Sequence, residues 1–185
     1  MSDRKRLAPM IALAAALVMV GLMWVLIGGG DVQSGPTETF LQNKPAPGVV
    51  STTLDGQPFD LSRRKGSWVV FNFFDSTCGP CRAEHPELIA FNDQQRALGV
   101  EGAELYTVIN RDSNESVRDF FEANGGDWPI VRDDNGSIGV SFGVVKVPET
   151  WVIDPNGVVV VRFAGPITAN ELGITLQKLR DLSGL

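Results

Sequence analysis

The sequence predicts an α/β domain built around a mixed β-sheet and preceded by one transmembrane helix. Residues 7–27 form an uninterrupted apolar run that is long enough for one membrane pass. Further along, short apolar runs typical of strands alternate with segments typical of helices, and strands joined through helices pair in parallel. Two late strands joined by a tight turn add an antiparallel edge, so the sheet is mixed.

The sequence also predicts how the apolar run is oriented across the membrane. A helix of residues 7–27 would be roughly 31 Å long, close to the hydrocarbon thickness of a bilayer. Arg4, Lys5 and Arg6 precede the run and Asp31 is the first charge after it. The positive-inside rule therefore places residues 1–6 in the cytoplasm and the remaining domain outside, on a single-pass anchor in the cell membrane.

A cleaved signal peptide is the alternative to an anchor. Gly28 and Gly30 offer the small residues of a cleavage site, but the apolar core of a signal peptide usually has only about 7 to 15 residues. Residues 28–45 are rich in Gly, Pro and polar residues and predict a flexible linker with an r.m.s. span of roughly 23 Å. Residues 46–185 then form the folded domain, close to the membrane surface.

The net charge of the chain speaks against nucleic acid as a partner. The chain carries a net charge of −6, and beyond residue 27 there are 13 basic and 21 acidic residues, a net charge of −8. An acidic domain without a Lys/Arg cluster is unsuited to binding nucleic acid. Recurrent Phe, Trp, Val and Ile also speak against a disordered acidic protein.

Local patterns place the individual elements. Asp55-Gly56 is a tight-turn signal between two strand patterns, so a hairpin opens the domain. Residues 68–74 are nearly all apolar, which suits a central strand buried on both faces. Residues 80–98 predict a helix, with a proline in its first turn and Gly99 placed to end it. The remaining elements are strands at 105–109, 151–153 and 158–163, helices at 116–124 and 168–182, and shorter elements at 130–131 and 137–142.

The two cysteines lie where the central strand ends and the first long helix begins. A thiol at a helix N-terminus faces unpaired N–H groups and the positive end of the helix dipole, and both stabilise the thiolate. Cys78 is therefore the predicted nucleophile. Cys81, one turn further, is the predicted resolving thiol, which closes a disulfide with Cys78 and releases a mixed-disulfide intermediate. Gly79 and Pro80 separate them, and Pro80 fixes φ without losing a helical hydrogen bond.

Two polar residues near the thiols are candidates for supporting roles. Glu84 lies three residues beyond Cys81, on the same side of the helix, where it could shuttle a proton. A solvated helix glutamate is the alternative interpretation. Asn72 falls in the central strand beneath the thiols and cannot itself carry a proton, so we expect a hydrogen-bonded core amide.

Other uses of the cysteines are less well supported. A purely structural disulfide across so short a loop would constrain little of the unfolded chain. Cys78, Cys81 and His85 form a Cys-x2-Cys-x3-His pattern, but a structural zinc site wants a fourth ligand and the sequence has no other Cys or His. We therefore predict no metal and no cofactor beyond the redox-active disulfide, with His85 as a surface or helix-packing residue.

Two segments carry a family resemblance. Residues 68–81, followed by Arg-Ala-Glu-His-Pro, resemble the active-site segment of thioredoxin-fold proteins. They resemble in particular the membrane-anchored thiol-disulfide oxidoreductases of cytochrome c biogenesis, the CcmG/DsbE family with ResA and TlpA as relatives. Residues 143–154 are similar to the cis-proline segment of that family. The resemblance covers about residues 45–183 and implies a thioredoxin-like sandwich with an N-terminal hairpin and a central insertion over residues 111–142.

The resemblance also implies roles for particular residues. Pro148 would be cis and face the cysteines, which leaves the backbone of Val147 open to pair with an extended substrate chain. Glu84 matches the acidic residue that such proteins keep beside the resolving cysteine. Asn72 stands where thioredoxin has a buried aspartate, and Thr77 replaces the tryptophan common before the first cysteine.

The expected function is that of an extracytoplasmic protein-disulfide reductase acting as a monomer. Its substrates would be exported proteins such as apocytochrome c, and a membrane electron donor of the DsbD/CcdA type would recharge it. A thiol peroxidase is one alternative, but that chemistry needs a Thr three residues before the reactive Cys, where this chain has Asp75. A metal- or heme-handling chaperone using Cys78, Cys81 and His85 is another.

Overall fold

A computed structural model describes residues 13–24, 35–109 and 111–183. The chain divides into two units, Met1–Gln33 and Ser34–Leu185. In the first unit, residues 13–24 form helix α1. Across the described parts of the chain, no helix combines the length and the apolar character needed to cross a bilayer. The rest of the predicted anchor, residues 7–12 and 25–27, and the predicted cytoplasmic residues 1–6 lie outside the described residues, so the anchor stays a prediction.

The second unit is an alternation of strands and helices. Their bounds are β1 Lys44–Pro45, β2 Val50–Thr52, β3 Pro58–Asp60, β4 Val69–Phe74, α2 Gly79–Ala97, β5 Glu104–Ile109, α3 Asn114–Asn124, β6 Ile130–Val131, α4 Ser137–Phe142, β7 Glu149–Ile153, β8 Val158–Ala164 and α5 Ala169–Ser183. The predicted elements all occur, with ends that differ by a few residues.

The main sheet has the order β1-β8-β7-β4-β5-β6. Strand β4 pairs in parallel with β5 and antiparallel with β7, so the predicted mixed sheet is confirmed. All six residues of β4 are buried, as expected of a central strand. The β7–β8 hairpin differs from the predicted edge, because β7 pairs directly with the central strand and β1 covers part of β8. The predicted opening hairpin, β2–β3, forms a small sheet of its own.

Successive side chains of β4 point into two separate apolar layers, as the pleat of a strand requires. Val70 and Phe74 pack with α2 and α5, in a layer that also contains Cys81 and Leu88. Val69, Phe71 and Phe73 pack on the opposite face with residues of β7 and α4. Asn72 shares the α2 side, so the strand places one amide beneath the start of that helix.

The predicted linker, residues 28–45, needs a correction over its second half. Lys44 and Pro45 pair with β8 as an antiparallel edge strand. The Thr37 N–H donates to the Arg162 carbonyl at 2.7 Å, and Leu41 is buried in the core. These residues belong to the folded domain because they cover the outer edge of β8. Residues 28–34 lie outside the described residues.

Candidate functional site

The cysteine pair sits at the junction of β4 and α2. Cys78 is the N-cap of α2, and its Sγ accepts a hydrogen bond from the Cys81 N–H at 3.2 Å. The two residues are joined by a disulfide, with their Cα atoms 5.2 Å apart. Cys78 is partly exposed whereas Cys81 has 0% of its surface exposed. A protein partner can therefore reach the first sulfur and not the second.

Side chains around the loop that precedes Cys78 hold it in place. Asp75 accepts hydrogen bonds from the Thr77 N–H at 2.8 Å and from the Thr77 hydroxyl at 2.6 Å. Asp112, from beyond β5, accepts from the Ser76 N–H at 2.6 Å. The Thr77 hydroxyl is thereby directed to Asp75, an arrangement that gives no support to the peroxidase alternative.

Arg82 is the cation nearest to the cysteines along the chain, but it has other partners. Its Nη1 donates to the Ser76 carbonyl at 3.1 Å, and its guanidinium lies 5.0 Å from the centre of the Phe120 ring. The hydrogen bond stabilises the loop and the ring contact attaches α3 to it.

A second loop, residues 145–148, meets the cysteine pair. The Val147–Pro148 peptide bond is cis, the geometry that the family resemblance implies. The Val147 carbonyl oxygen lies 3.7 Å from the Cys78 Sγ. The Gly165 N–H donates to the Pro148 carbonyl at 2.9 Å, so the turn after β8 supports this loop from behind.

Glu149 lies under the same loop and is almost fully buried. Its carboxylate forms a two-pronged ion pair with Arg162 at 2.9 and 2.7 Å. It also accepts from the Val145 N–H at 3.1 Å and from the Trp151 indole N–H at 3.3 Å. Burial of this carboxylate is tolerated because every oxygen has donors, and the loop backbone is one of them.

Glu84 lies buried behind the cysteine pair, with 2% of its surface exposed. Its Oε1 accepts from the Ile167 N–H at 3.1 Å and its Oε2 from the Asn72 amide at 3.3 Å. Burial disfavours the charged form and raises the pKa of Glu84 to about 8, although both hydrogen bonds act to lower it. The structure therefore excludes the interpretation of Glu84 as a solvated helix residue.

His85 turns away into an aromatic cage. Its Nε2 lies 2.8 Å from the Gly125 carbonyl, which requires a proton on that nitrogen, and Phe120, Phe121 and Trp128 surround the ring. Burial lowers the pKa of His85. These contacts are those of a helix-packing residue. Within the described ranges, no three His, Cys, Asp or Glu side chains are grouped to hold a metal ion.

A cavity of about 600 Å³ opens beside the second loop. Val140 and Val145 on its wall are strongly exposed apolar side chains. Charged residues of both signs, among them Asp75 and Lys146, complete the wall, and Val147 closes the end nearest Cys78. The cavity is thus a mixed apolar and charged surface that shares Val147 with the surroundings of Cys78.

Sequence reasoning did not assign roles to Glu149, Thr150, Arg162 or Ile167. A glutamate and a threonine at the start of the apolar strand β7 could have indicated buried polar contacts, because buried polar residues need hydrogen-bond partners. Arg162 likewise interrupts the apolar strand β8. Ile167 takes part through its backbone, which no side-chain pattern reveals.

The thioredoxin-like sheet and a cysteine pair at a strand–helix junction, facing a cis-proline loop, define the class of thiol-disulfide oxidoreductases. Residues 43–162 match the AhpC/TSA family, and the chain belongs to that family. Its relatives are named for thiol-disulfide exchange, and the chain is a protein-disulfide oxidoreductase of the DsbE/ResA type.

Three relatives and one solved structure illustrate the match. The thiol:disulfide interchange protein HelX of Rhodobacter capsulatus is 32% identical over 167 residues, 89% of this chain and 88% of that protein. The DsbE homolog of Paracoccus denitrificans is 31% identical over 90% of each chain, and ResA of Bacillus thuringiensis is 30% identical over 74% of this chain and 77% of its own. A putative thiol:disulfide interchange protein DsbE from Chlorobium tepidum superposes with a TM-score of 0.65 at 25% identity, covering 75% of this chain and 95% of that one.

Proposed function

We propose that this protein is an extracytoplasmic, membrane-anchored reductase of disulfides in exported proteins, with apocytochrome c as a substrate. The observation that carries the proposal is the unequal exposure of the two sulfurs. Cys78 is partly exposed beside the Val147 carbonyl, whereas Cys81 is fully buried. Cys78 therefore attacks the substrate and Cys81 resolves the intermediate.

The reaction starts from the reduced pair. The Cys78 thiolate attacks one sulfur of the substrate disulfide and the substrate S–S bond breaks. The other substrate sulfur leaves as the first thiolate and takes up a proton, while the attacked sulfur stays bound to Cys78 as a mixed disulfide. The Cys81 thiol then gives its proton to Glu84, and the Cys81 thiolate attacks the Cys78 sulfur. The second substrate thiolate leaves and takes up a proton, so two electrons pass to the substrate and the Cys78–Cys81 disulfide forms.

Glu84 suits this proton transfer because of its raised pKa. A general base works best when its pKa lies near the operating pH, and the pKa of Glu84 is about 8. In the disulfide form the carboxyl group holds a proton that it can return to Cys81 when the pair is reduced again. Gly79 and Pro80 keep the two sulfurs within bonding reach across the first turn of α2.

The surroundings of Cys78 favour reduction over oxidation as the direction. A strong oxidant stabilises its reduced form, usually by stabilising the nucleophilic thiolate. Here the Cys78 sulfur accepts one N–H, from Cys81, and the guanidinium of Arg82 is engaged by Ser76 and Phe120. When Glu84 is ionised, its buried carboxylate behind the cysteine pair also disfavours a negative charge on a cysteine sulfur.

The cis-proline loop is the proposed docking site for the substrate chain. An extended segment pairs with the backbone of Val147 and continues along the cavity beside Val140 and Val145. Thr77 supplies no aromatic surface there, so shape and backbone pairing dominate recognition. Recharging needs a membrane electron donor of the DsbD/CcdA type, because an extracytoplasmic compartment does not keep thiols reduced.

A Cys81→Ser variant tests the proposal directly. It lacks the resolving thiol, so we expect Cys78 to accumulate as a mixed disulfide with its substrate in cells, released by a small thiol and identified by mass spectrometry. The matched control is the double variant with Cys78→Ser, which should capture nothing. Capture of apocytochrome c supports the proposed substrate.

Two results would contradict the proposal. Failure of the single variant to capture any protein through Cys78 would argue against the exchange reaction. A reduction potential close to that of a strong oxidant, about −120 mV, would reverse the direction. Rapid consumption of peroxide by the Cys81→Ser variant would instead favour the peroxidase alternative.

A further inference from the structure

The amide of Asn72 connects Glu84 to strand β7. Its Nδ2 donates to the Glu84 Oε2 at 3.3 Å and to the Thr150 Oγ1 at 3.1 Å. Asn72 and Thr150 are 0% exposed, and they face each other across the β4–β7 register. The Oδ1 of Asn72 has no hydrogen-bond partner. Both amide protons are therefore used, one on Glu84 and one on Thr150.

We propose that Asn72, oriented by Thr150, is the positioning residue that stabilises the ionised form of Glu84. The inference rests on the proposed role of Glu84 as the carrier of the proton. Neither residue touches the reacting sulfur atoms in this assignment, and both act through the Glu84 carboxyl group.

A buried carboxylate needs hydrogen-bond donors. In a dry site, an ionised carboxyl group is stable only where N–H or O–H groups donate to it. Glu84 has two such donors in the structure, the Ile167 backbone and the Asn72 amide. Asn72 is thus its single side-chain donor among the described residues. An aspartate in place of Asn72 could not donate when ionised and would add a second charge.

The carboxylate and Thr150 together hold the amide of Asn72. An asparagine turned by 180° about its last torsion angle would direct Oδ1 to the carboxylate, where two acceptors repel. In the observed orientation the Thr150 hydroxyl accepts one proton of Nδ2 and so holds the amide in place with its other proton on Glu84. The Ile167 donor comes from the turn whose Gly165 N–H also binds the Pro148 carbonyl. One donor to Glu84 therefore comes from the turn that supports the cis-proline loop. The other donor, Asn72, is bound to Thr150 on β7, the strand that follows this loop.

Within the part of the chain that the structure describes, no charged side chain competes with Asn72 for Glu84. On α2 the neighbouring charged or titratable groups are Cys81, which is in the disulfide, Arg82, which contacts Ser76 and Phe120, His85, which faces the aromatic cage, and Glu87, which accepts from the Ala169 N–H. On β7 the nearest titratable group, Glu149, points to the opposite face of the sheet and pairs with Arg162. Strand β4 and the turn at Ile167 contribute Asn72 and a backbone N–H.

The test is a carboxyl ¹³C NMR titration of Glu84 in the full chain, in the disulfide form, with the signal assigned from a Glu84→Gln variant. We expect Asn72→Leu to raise the pKa of Glu84 by about one unit, which is a tenfold fall in the ionised fraction near neutral pH. Thr150→Val should raise it by a smaller amount, about half a unit, and Thr150→Ser, which keeps a hydroxyl, should restore the original value.

Thr107→Val is the matched control. Thr107 pairs with Asn72 from the other neighbouring strand and is equally buried, but its hydroxyl accepts from the Trp128 indole N–H. This variant should leave the titration of Glu84 unchanged even if it lowers stability. If Asn72→Leu does not fold, Thr150→Val and Thr150→Ser decide the question. An unchanged or lowered pKa of Glu84 in Thr150→Val overturns the proposal.

A kinetic measurement separates this inference from the proposed function. The rate at which Cys81 resolves a mixed disulfide between Cys78 and a model peptide is followed against pH. We expect its midpoint to move upward in Thr150→Val together with the pKa of Glu84. A shifted pKa with an unshifted rate profile would support the positioning role of Asn72 and Thr150 while contradicting the role of Glu84 as proton carrier.

Discussion

At the scale of single residues, Glu84 shows how burial changes the chemistry of a common side chain. A glutamate on a helix surface is ionised at neutral pH, and three residues of spacing from Cys81 would give it no special property. Behind the cysteine pair, burial raises its pKa to about 8, and the N–H groups of Ile167 and Asn72 keep the charged form accessible. The result is a carboxyl group that can both hold and release a proton near neutral pH.

The raised pKa of Glu84 predicts a loss of stability at high pH. Between pH 6.5 and 8 the folded chain keeps the proton on Glu84 while the unfolded chain, with the ordinary pKa of 4.5, has lost it. The free energy of unfolding should therefore fall by about 1–2 kcal/mol over this interval, and Glu84→Gln should abolish that fall. Urea unfolding of the disulfide form at several pH values measures the effect.

His85, another buried titratable residue near the site, does not produce this loss of stability above pH 6.5. Burial lowers the pKa of His85, so its contribution is lost as pH falls below the ordinary value of 6.5 and lies on the acid side. Glu122→Gln on α3 is the control, because that carboxyl group is exposed in the folded and unfolded chain alike. An equal pH dependence in wild type and Glu84→Gln would contradict the assigned burial of the charge.

At the scale of elements, strands β7 and β8 together support the cis-proline loop, residues 145–148, which directly precedes β7. Glu149 begins β7 directly after Pro148, and Arg162 on β8 binds its carboxylate with two hydrogen bonds. The guanidinium also lies 5.4 Å from the centre of the Trp151 ring. Since Glu149 accepts from the Val145 backbone as well, one buried ion pair ties both strands to the loop.

Removal of one partner of this pair should be costly. Glu149→Gln leaves the Arg162 charge, whose side chain is 15% exposed, without its counter-ion. We expect the free energy of unfolding to fall by about 3 kcal/mol, as is usual when one half of a buried pair is lost. The control is Asp134→Asn in the pair with Arg132, which is 33% and 63% exposed and should cost less than about 1 kcal/mol. Equal losses in the two variants would show that the Glu149 pair is no stronger than a surface pair.

At the scale of the whole molecule, the order of segments connects chemistry to location. Residues 36–45 run along the outer edge of the sheet. The folded domain therefore begins before the first strand that the sequence predicts. The proposed anchor over residues 7–27 would then hold the site near the membrane on a linker shorter than eighteen residues. A short linker favours exchange with an electron donor in the same membrane.

The anchor is tested by alkaline extraction of membranes from cells that contain the full chain. We expect the protein to stay in the membrane pellet, with residues 1–27 still present by N-terminal sequencing and with its domain accessible to protease from outside. A variant that lacks residues 7–27 should not sediment with membranes. Recovery of a soluble protein that has been cleaved after Gly30 would support the signal-peptide alternative and contradict the anchor.

Much of the architecture follows from local sequence patterns. The apolar run 68–74, the tight turn at Asp55-Gly56 and the cysteines before a helix start all lie within a few residues, where backbone preferences and side-chain period act directly. The mixed α/β sheet and the position of the cysteine pair were predicted on this basis. The cis form of Pro148 was expected from family resemblance and from no local preference.

The polar partners behind the cysteines and the edge of the sheet follow from the packing of distant segments. Glu84 meets Asn72, 12 residues away, and the Ile167 N–H, 83 residues away, while Asn72 meets Thr150 across 78 residues. Local patterns carry no information on such pairs, because they arise when buried polar groups from distant segments satisfy one another in the packed core. Local sequence patterns were enough to predict the position of the cysteine pair and the mixed α/β fold around it. Packing decided which buried groups surround Glu84 behind the cysteines.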